Sequence, residues 1–238
     1  MTKRKLQRFS ENEQFPNVFQ PKLLYPPVDH EMKGKWNEQV FRNENPIVLE
    51  LGCGKGEYTT GMAVRFPGKN FIGIDIKGAR MWPGAKQSLQ NNLANVCFLR
   101  TRIEFIESFF RAGEVSEIWI TFPDPQIKER RAKKRLTGSR FLNGYRRFLK
   151  KDGVVHLKTD SLLLYRYTLQ LIRENNLALL EVTDDLYQSQ LSDEIRSIRT
   201  FYESRFLEQG KKITYLKFQL NGDAEIVEPT GDTIVATN

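Results

Sequence analysis

Between Pro46 and Glu174 short apolar runs alternate with stretches of helical periodicity, and this rhythm constrains the fold more than any other feature of the chain. Strands are expected at 47–51, 70–76, 96–100, 116–122 and 153–159, and helices at 58–65, 79–92, 103–111, 139–149 and 162–174. Strands that alternate with helices build βαβ units, because each crossover returns the chain in the same direction, so the sheet is expected to be parallel. Two later strands, 177–183 and 213–220, flank a helix at 198–209, and the late strand is expected to insert antiparallel. The expectation is an α/β fold with a mostly parallel seven-stranded sheet, one antiparallel C-terminal strand, and helices on both faces.

Three segments divide the chain. Residues 1–30 carry Pro16, Pro21, Pro26 and Pro27 with little periodicity and read as an irregular basic arm. A short helix at 32–41 opens the main domain, 31–220, and 221–238 reads as a weakly ordered tail. At 238 residues with 39% hydrophobic content, one such domain can bury a real core. No apolar run approaches the ~18 residues that span a bilayer, and no apolar stretch follows Lys3-Arg4-Lys5, so neither membrane nor export is expected and the cytoplasm is. Cys53 and Cys97 make no disulfide framework, and with only His30 and His156 no zinc site and no other metal is expected.

The run Val48-Leu49-Glu50-Leu51-Gly52-Cys53-Gly54-Lys55-Gly56-Glu57 takes an apolar strand into a glycine-rich turn and straight into a helix. Glycines let backbone approach a ligand closely. Asp75, at the end of the next strand, is placed to accept from the two hydroxyls of a ribose. The glycines fall at 52, 54 and 56, closer than the G-x-G-x-x-G of dinucleotide sites. Glu57 in the first helical turn would repel a diphosphate. S-adenosylmethionine carries an ammonium, a sulfonium and a ribose, and suits acids at 50 and 75. The bland alternative is a turn that serves only strand–helix packing, with Cys53 as small filler.

Strand five's predecessor in the sheet ends Trp119-Ile120-Thr121-Phe122-Pro123-Asp124-Pro125-Gln126. An acid between two prolines has little backbone freedom, and fixed charge is what electrostatic catalysis needs. Asp160 closes the neighbouring strand. Carboxylates accept only, and guanine offers N1–H and an exocyclic amine as donors; the alternative for Asp160 is a helix cap. From Lys128 to Lys151 eleven of twenty-four residues are Lys or Arg, Lys128, Arg130 and Arg135 among them, and the net charge is +8. A one-signed run at the rim of a pocket fits phosphate, hence a nucleic-acid partner. Phe122, Phe201 and Tyr202 are candidates for base stacking.

Together with Lys133-Lys134-Arg135-Leu136-Thr137, His156-Leu157-Lys158-Thr159-Asp160 and Thr200-Phe201-Tyr202-Glu203, these motifs resemble the bacterial tRNA (guanine-N7)-methyltransferase family, from about 46 to 220. The resemblance implies a Rossmann-like class I methyltransferase fold, S-adenosylmethionine as cofactor, tRNA as partner, and methylation of guanine N7 in the variable loop by a monomer or homodimer. It carries Glu50, Gly52, Gly54, Gly56, Asp75 and Asp124 to the cofactor. It carries Lys128, Asp160, Thr200 and Glu203 to the guanosine, with Asp124 and Asp160 as the catalytic pair. The chain departs from the family pattern at Gln126-Ile127, at Arg131, and at Arg102, where an acid near the adenine is expected and Thr101 and Glu104 are the neighbouring candidates. Two other classes stay open: methylation of an exocyclic amine, and RNA binding without catalysis on the same scaffold.

Overall fold

The computed structural model of the chain describes residues 3–22, 24–191 and 193–230. Its strands are β1 (Val18–Phe19), β2 (Ile47–Leu51), β3 (Asn70–Asp75), β4 (Val96–Arg100), β5 (Val115–Thr121), β6 (Leu149–Thr159), β7 (Ala178–Thr183) and β8 (Thr214–Gln219). They form a single sheet in the order β1-β4-β3-β2-β5-β6-β8-β7. All seven expected strands are present. β8 inserts antiparallel between β6 and β7 as expected, and the eighth strand, β1, comes from the arm and pairs parallel with β4. The order of connection reverses between β2 and β5, so a crevice opens beyond their carboxyl ends.

Side chains alternate across β2 and divide the interior into two layers. Ile47, Leu49 and Leu51 join the core beneath α4 (Ser139–Arg146) and α5 (Leu162–Glu174). Val48 joins the core beneath α2 (Glu57–Arg65) and α3 (Gly78–Gln90). Leu49 is fully buried, so truncation to Ala should cost about 2–5 kcal/mol. Glu50 shares the face of Val48 and therefore points at α2 rather than along the crevice. Among the described residues no helix is long and apolar enough to cross a membrane.

Both ends of the chain differ from the sequence reading. Lys3–Gln14 form helix α1, which docks on α3. The hydrogen bonds of the joint are Asn12 Nδ2 to the Gly78 carbonyl at 2.8 Å and Trp82 Nε1 to Glu11 Oε2 at 2.7 Å; just past the helix Asn17 Nδ2 donates to Ser88 Oγ at 2.8 Å. Hydrophobic periodicity cannot report such a joint. Residues 221–230 are also tied down. Ile226 is buried, Asn143 and Ile226 exchange two hydrogen bonds, and Glu228 accepts from the Ser139 amide at 2.9 Å and the Tyr167 hydroxyl at 2.6 Å. Residues 231–238 of the expected tail lie outside the described residues. The short helix expected at 32–41 is a wide π turn, Trp36–Phe41, and 103–108 form a tight 3-10 helix.

Candidate active site

A cleft of about 470 Å³ opens at the carboxyl ends of β2, β3 and β5. Gly52, Asp75, Thr101, Arg102 and Glu104 line one side, and Phe122, Asp124, Gln126 and Lys134 the other. A larger cavity, about 530 Å³, lies toward the amino ends of β5 and β6, around Trp119 and His156. Two ion pairs line it, Lys69 with Glu117 at 2.6 Å and Lys217 with Glu181 at 2.9 Å, and the glycine turn at 52–56 does not reach it. The chemistry belongs to the first cleft.

The three loop glycines divide into two kinds. All have left-handed backbone, φ 79°, 55° and 74° at Gly52, Gly54 and Gly56. A Cβ on Gly52 would meet nothing within 4 Å, and one on Gly54 only the Gly52 carbonyl at 3.9 Å. Of the two, Gly52 lines the cleft. A Cβ on Gly56 would collide with the Phe98 ring at 2.6 Å and approach Gly84 Cα at 3.3 Å. Gly56, expected at the cofactor, is therefore spent on packing the loop against β4 and α3.

Asp75 is where a ribose-binding acid should be. Its Oδ2 accepts from the Gly54 amide at 3.1 Å and its Oδ1 from the Lys77 amide at 2.8 Å. Each oxygen keeps a lone pair toward the cleft. Glu50 is different. Its Oε2 accepts from the Thr59 amide at 2.8 Å and from the Thr59 hydroxyl, and its Oε1 accepts from Thr121 Oγ1 at 2.6 Å. Burial pushes its carboxyl up to about 7 against the pull of those donors. Glu50 lies outside the cleft lining and braces β2, α2 and β5 beneath the loop.

The Asp124 loop is held rigidly. Phe122 and Gln126 adopt left-handed backbone, φ 47° and 49°, which side chains rarely take. Between them Asp124 Oδ1 accepts from the Gln126 amide at 3.0 Å, leaving Oδ2 toward the cleft. Arg135, expected on phosphate, is buried instead. Its Nε donates to the Pro125 carbonyl at 3.3 Å and its guanidinium stacks 4.3 Å from the Tyr167 ring centroid. The loop's rigidity thus comes partly from a residue that charge counting assigns to the surface. Lys134, next to it, is exposed and lines the cleft; Lys128 and Arg130 are exposed beside it.

Asp160 stands at the neighbouring strand end, where Thr121 of β5 pairs with Lys158 of β6. It lies outside the cleft lining, with Oδ2 2.7 Å from Lys211 Nζ. The structure therefore places the two expected catalytic acids at adjacent strand ends but not around one cavity. Thr200 and Glu203, expected on the guanosine, serve each other: Thr200 Oγ1 accepts from the Glu203 amide at 3.2 Å, and Glu203 Oε2 from the Thr200 amide at 3.4 Å. This is a capping box at the start of helix α7 (Phe201–Glu208), reached after the short helix α6 (Asp193–Ser197). Sequence reasoning did not single out Lys77, Arg80, Ile103 and Phe141, which also line the cleft; no motif marks them.

The fold is shared with the 16S rRNA methyltransferase KamB, at a TM-score of 0.61 and 15% identity over 82% of this chain and 99% of that one. A 30S ribosomal A1408 methyltransferase from an uncultured bacterium superposes at 0.56 with 18% identity, covering 81% and 98%. A family profile described as "Putative methyltransferase" matches residues 44–216. A tRNA (guanine-N(7)-)-methyltransferase of Bacteroides thetaiotaomicron is 53% identical over 230 residues, 96% of this chain and 90% of its own length. One from Christiangramia forsetii is 55% identical over 222 residues, 92% and 99% of the two chains. Matched over nearly its whole length by relatives more than half identical to it, and over residues 44–216 by the family profile, the chain belongs to the tRNA (guanine-N(7)-)-methyltransferase family.

Proposed function

We propose that this chain transfers a methyl group from S-adenosylmethionine to N7 of a guanine in tRNA, in the variable loop, in the cytoplasm. The observation that carries the reading is one cleft lined by the open backbone of Gly52, by Asp75 with acceptors to spare, and by Asp124, which is held by the Gln126 amide.

The cleft fits the cofactor. Its free space lies beside the open backbone of Gly52, and Asp75 retains unused acceptors there. Thr101 and Glu104 stand on the adenine side with Arg102, whose guanidinium lies 3.4 Å from Glu104. S-adenosylmethionine, when bound, supplies an electrophilic methyl group on a sulfonium. Guanine N7 has an in-plane lone pair and no proton, so the new C–N bond forms as the C–S electrons return to sulfur, and no base is needed. Positive charge moves onto the purine. Asp124, already fixed, is complementary to that charge without reorganising. Holding the reactants in line can supply about 7–11 kcal/mol of the barrier. Asp160 joins the purine from the next strand by exchanging Lys211, a partner on an exposed side chain, for the donors of guanine. Lys128, Arg130 and Lys134 meet the phosphates at the rim.

The test is incubation of the purified protein with bulk tRNA and labelled S-adenosylmethionine, followed by digestion to nucleosides and mass spectrometry. 7-Methylguanosine is expected. Label on an exocyclic amine of adenine or cytosine, or no binding of the cofactor at millimolar concentration by calorimetry, overturns the reading.

A further inference from the structure

We infer that Lys158 is a positioning residue for the methyl transfer: with Glu203 and Tyr187 it forms a buried latch that sets helix α7 against the glycine turn and the Asp124 loop, which frame the cleft. The inference rests on the function proposed above. Lys158 lies on the central strand β6 and both it and Glu203 are completely buried. Its Nζ is 2.8 Å from Glu203 Oε1 and donates to the carbonyls of Ile195 at 3.0 Å and Ile198 at 3.3 Å. All three donors of the ammonium are thereby satisfied, and every acceptor comes from the segment 195–203. The Tyr187 hydroxyl donates to the same Oε1 at 2.8 Å. A buried ion pair is weak as a source of stability, because desolvation consumes most of the attraction, but it fixes geometry well.

What the latch sets in place is the rim. At its start α7 is tied to the glycine turn: the Phe201 amide donates to Glu57 Oε2 at 2.9 Å, and Lys55 Nζ lies 4.2 Å from the Phe201 ring centroid. At its end the Phe206 ring packs 5.8 Å from that of Phe122, the strained residue that starts the Asp124 loop. Lys211, just beyond, holds Asp160. One helix thus touches the glycine turn and the Asp124 loop, the residue that holds Asp160 follows three positions after its end, and one buried ammonium ties the helix to the sheet. Phe201 and Tyr202 project from it half-exposed toward solvent, beside the cleft.

The experiment compares the wild type with Lys158→Met, with the uncharged pair Lys158→Met/Glu203→Gln, whose amide oxygen can still accept from the Thr200 amide at the start of α7, and with Tyr187→Phe. Lys158→Met alone leaves Glu203 buried without its cation and is expected to fold poorly. The double variant removes both charges and keeps the volume, so it isolates positioning from stability. Thermal unfolding and the dissociation constant for S-adenosylmethionine should stay near wild type, within about twofold for binding. The KM for tRNA should rise at least tenfold, with amide exchange in 201–208 accelerated, and Tyr187→Phe should show a smaller change of the same sign. A double variant that folds and keeps its tRNA KM within twofold, with unchanged exchange in 201–208, overturns the latch. Failure of the wild type itself to methylate tRNA overturns the proposed function instead, and the exchange measurement still decides the latch.

Discussion

Phe122 and Gln126 occupy the same left-handed backbone well, φ 47° and 49°, and the three residues between them are Pro123, Asp124 and Pro125. Asp124 is therefore flanked by two proline rings and by two residues in an unfavourable conformation, each costing on the order of 1–3 kcal/mol. Gln126→Gly relieves one cost and adds chain entropy to the unfolded state, so stability should change by less than about 1 kcal/mol. Turnover should fall several-fold as Asp124 loosens. Gln126→Val, whose branched side chain resists positive φ, should lose roughly 1–2 kcal/mol. Thermal melts beside initial rates separate the two effects.

Asp124→Ala removes charge that is already in place when the purine becomes cationic. A drop of about 10²-fold in kcat is expected, the size of losing one preorganised electrostatic contact. Asp160→Ala should also depress turnover while leaving cofactor affinity within about twofold. Single-turnover rates paired with calorimetry read both; an unchanged rate in the Asp160 variant would remove it from the mechanism.

Glu50 gives the fold a pH dependence of definite sign. Its carboxyl is raised from 4.5 to about 7 by burial, so the folded state binds its proton more tightly than the unfolded chain does. Stability from this group is present in full below about pH 4.5 and is lost as pH rises through 7, on the order of 3 kcal/mol over the interval. Glu50→Gln keeps an acceptor for Thr59 and should flatten that slope. Denaturation at pH 5 and pH 8 should show wild type losing more than the variant; equal slopes would remove Glu50 as the source.

Arg135→Met keeps the stem against Tyr167 but abandons the Pro125 carbonyl. A loss of about 1–3 kcal/mol is expected from the unmet acceptor and the lost stacking. The salt dependence of tRNA affinity should be nearly unchanged, since the guanidinium is buried. Lys134→Ala should do the reverse: stability preserved, affinity weakened, and the salt slope reduced by about one.

For the intact protein, if about five of the exposed basic side chains near the rim meet phosphates, log affinity should fall with log salt at a slope of about −4. Filter binding from 50 to 300 mM salt measures it. A slope near zero would detach the basic run from tRNA.

The sheet was readable because its physics is local. Apolar runs such as Val48-Leu49 and Phe71-Ile72 are buried on both faces, and period and glycine spacing report that directly. Asp75 and Asp124 were readable because strand ends in such sheets face the crevice. Helix α1 was not, because it docks through Asn12, Glu11 and Trp82 rather than through an apolar stripe. Arg135, Glu50, Thr200 and Glu203 have intramolecular partners that the sequence did not show, for one shared reason. A charged or hydroxyl side chain in a motif reads as a ligand contact, whereas each of these satisfies buried groups of its own chain, and only tertiary packing shows which donor it faces. The same holds for Gly56, whose neighbours Phe98 and Gly84 are distant in sequence.

Glu228 grips the hydroxyl of Tyr167, Tyr167 carries the guanidinium of Arg135, and Arg135 holds the carbonyl of Pro125. The last hundred residues before that glutamate therefore loop back to steady the acid at 124 from behind. Protein engineers who trim or fuse this region at 222, where nothing catalytic is visible, will be sawing at the far strut of the active loop, and the damage will surface in turnover before it surfaces in solubility.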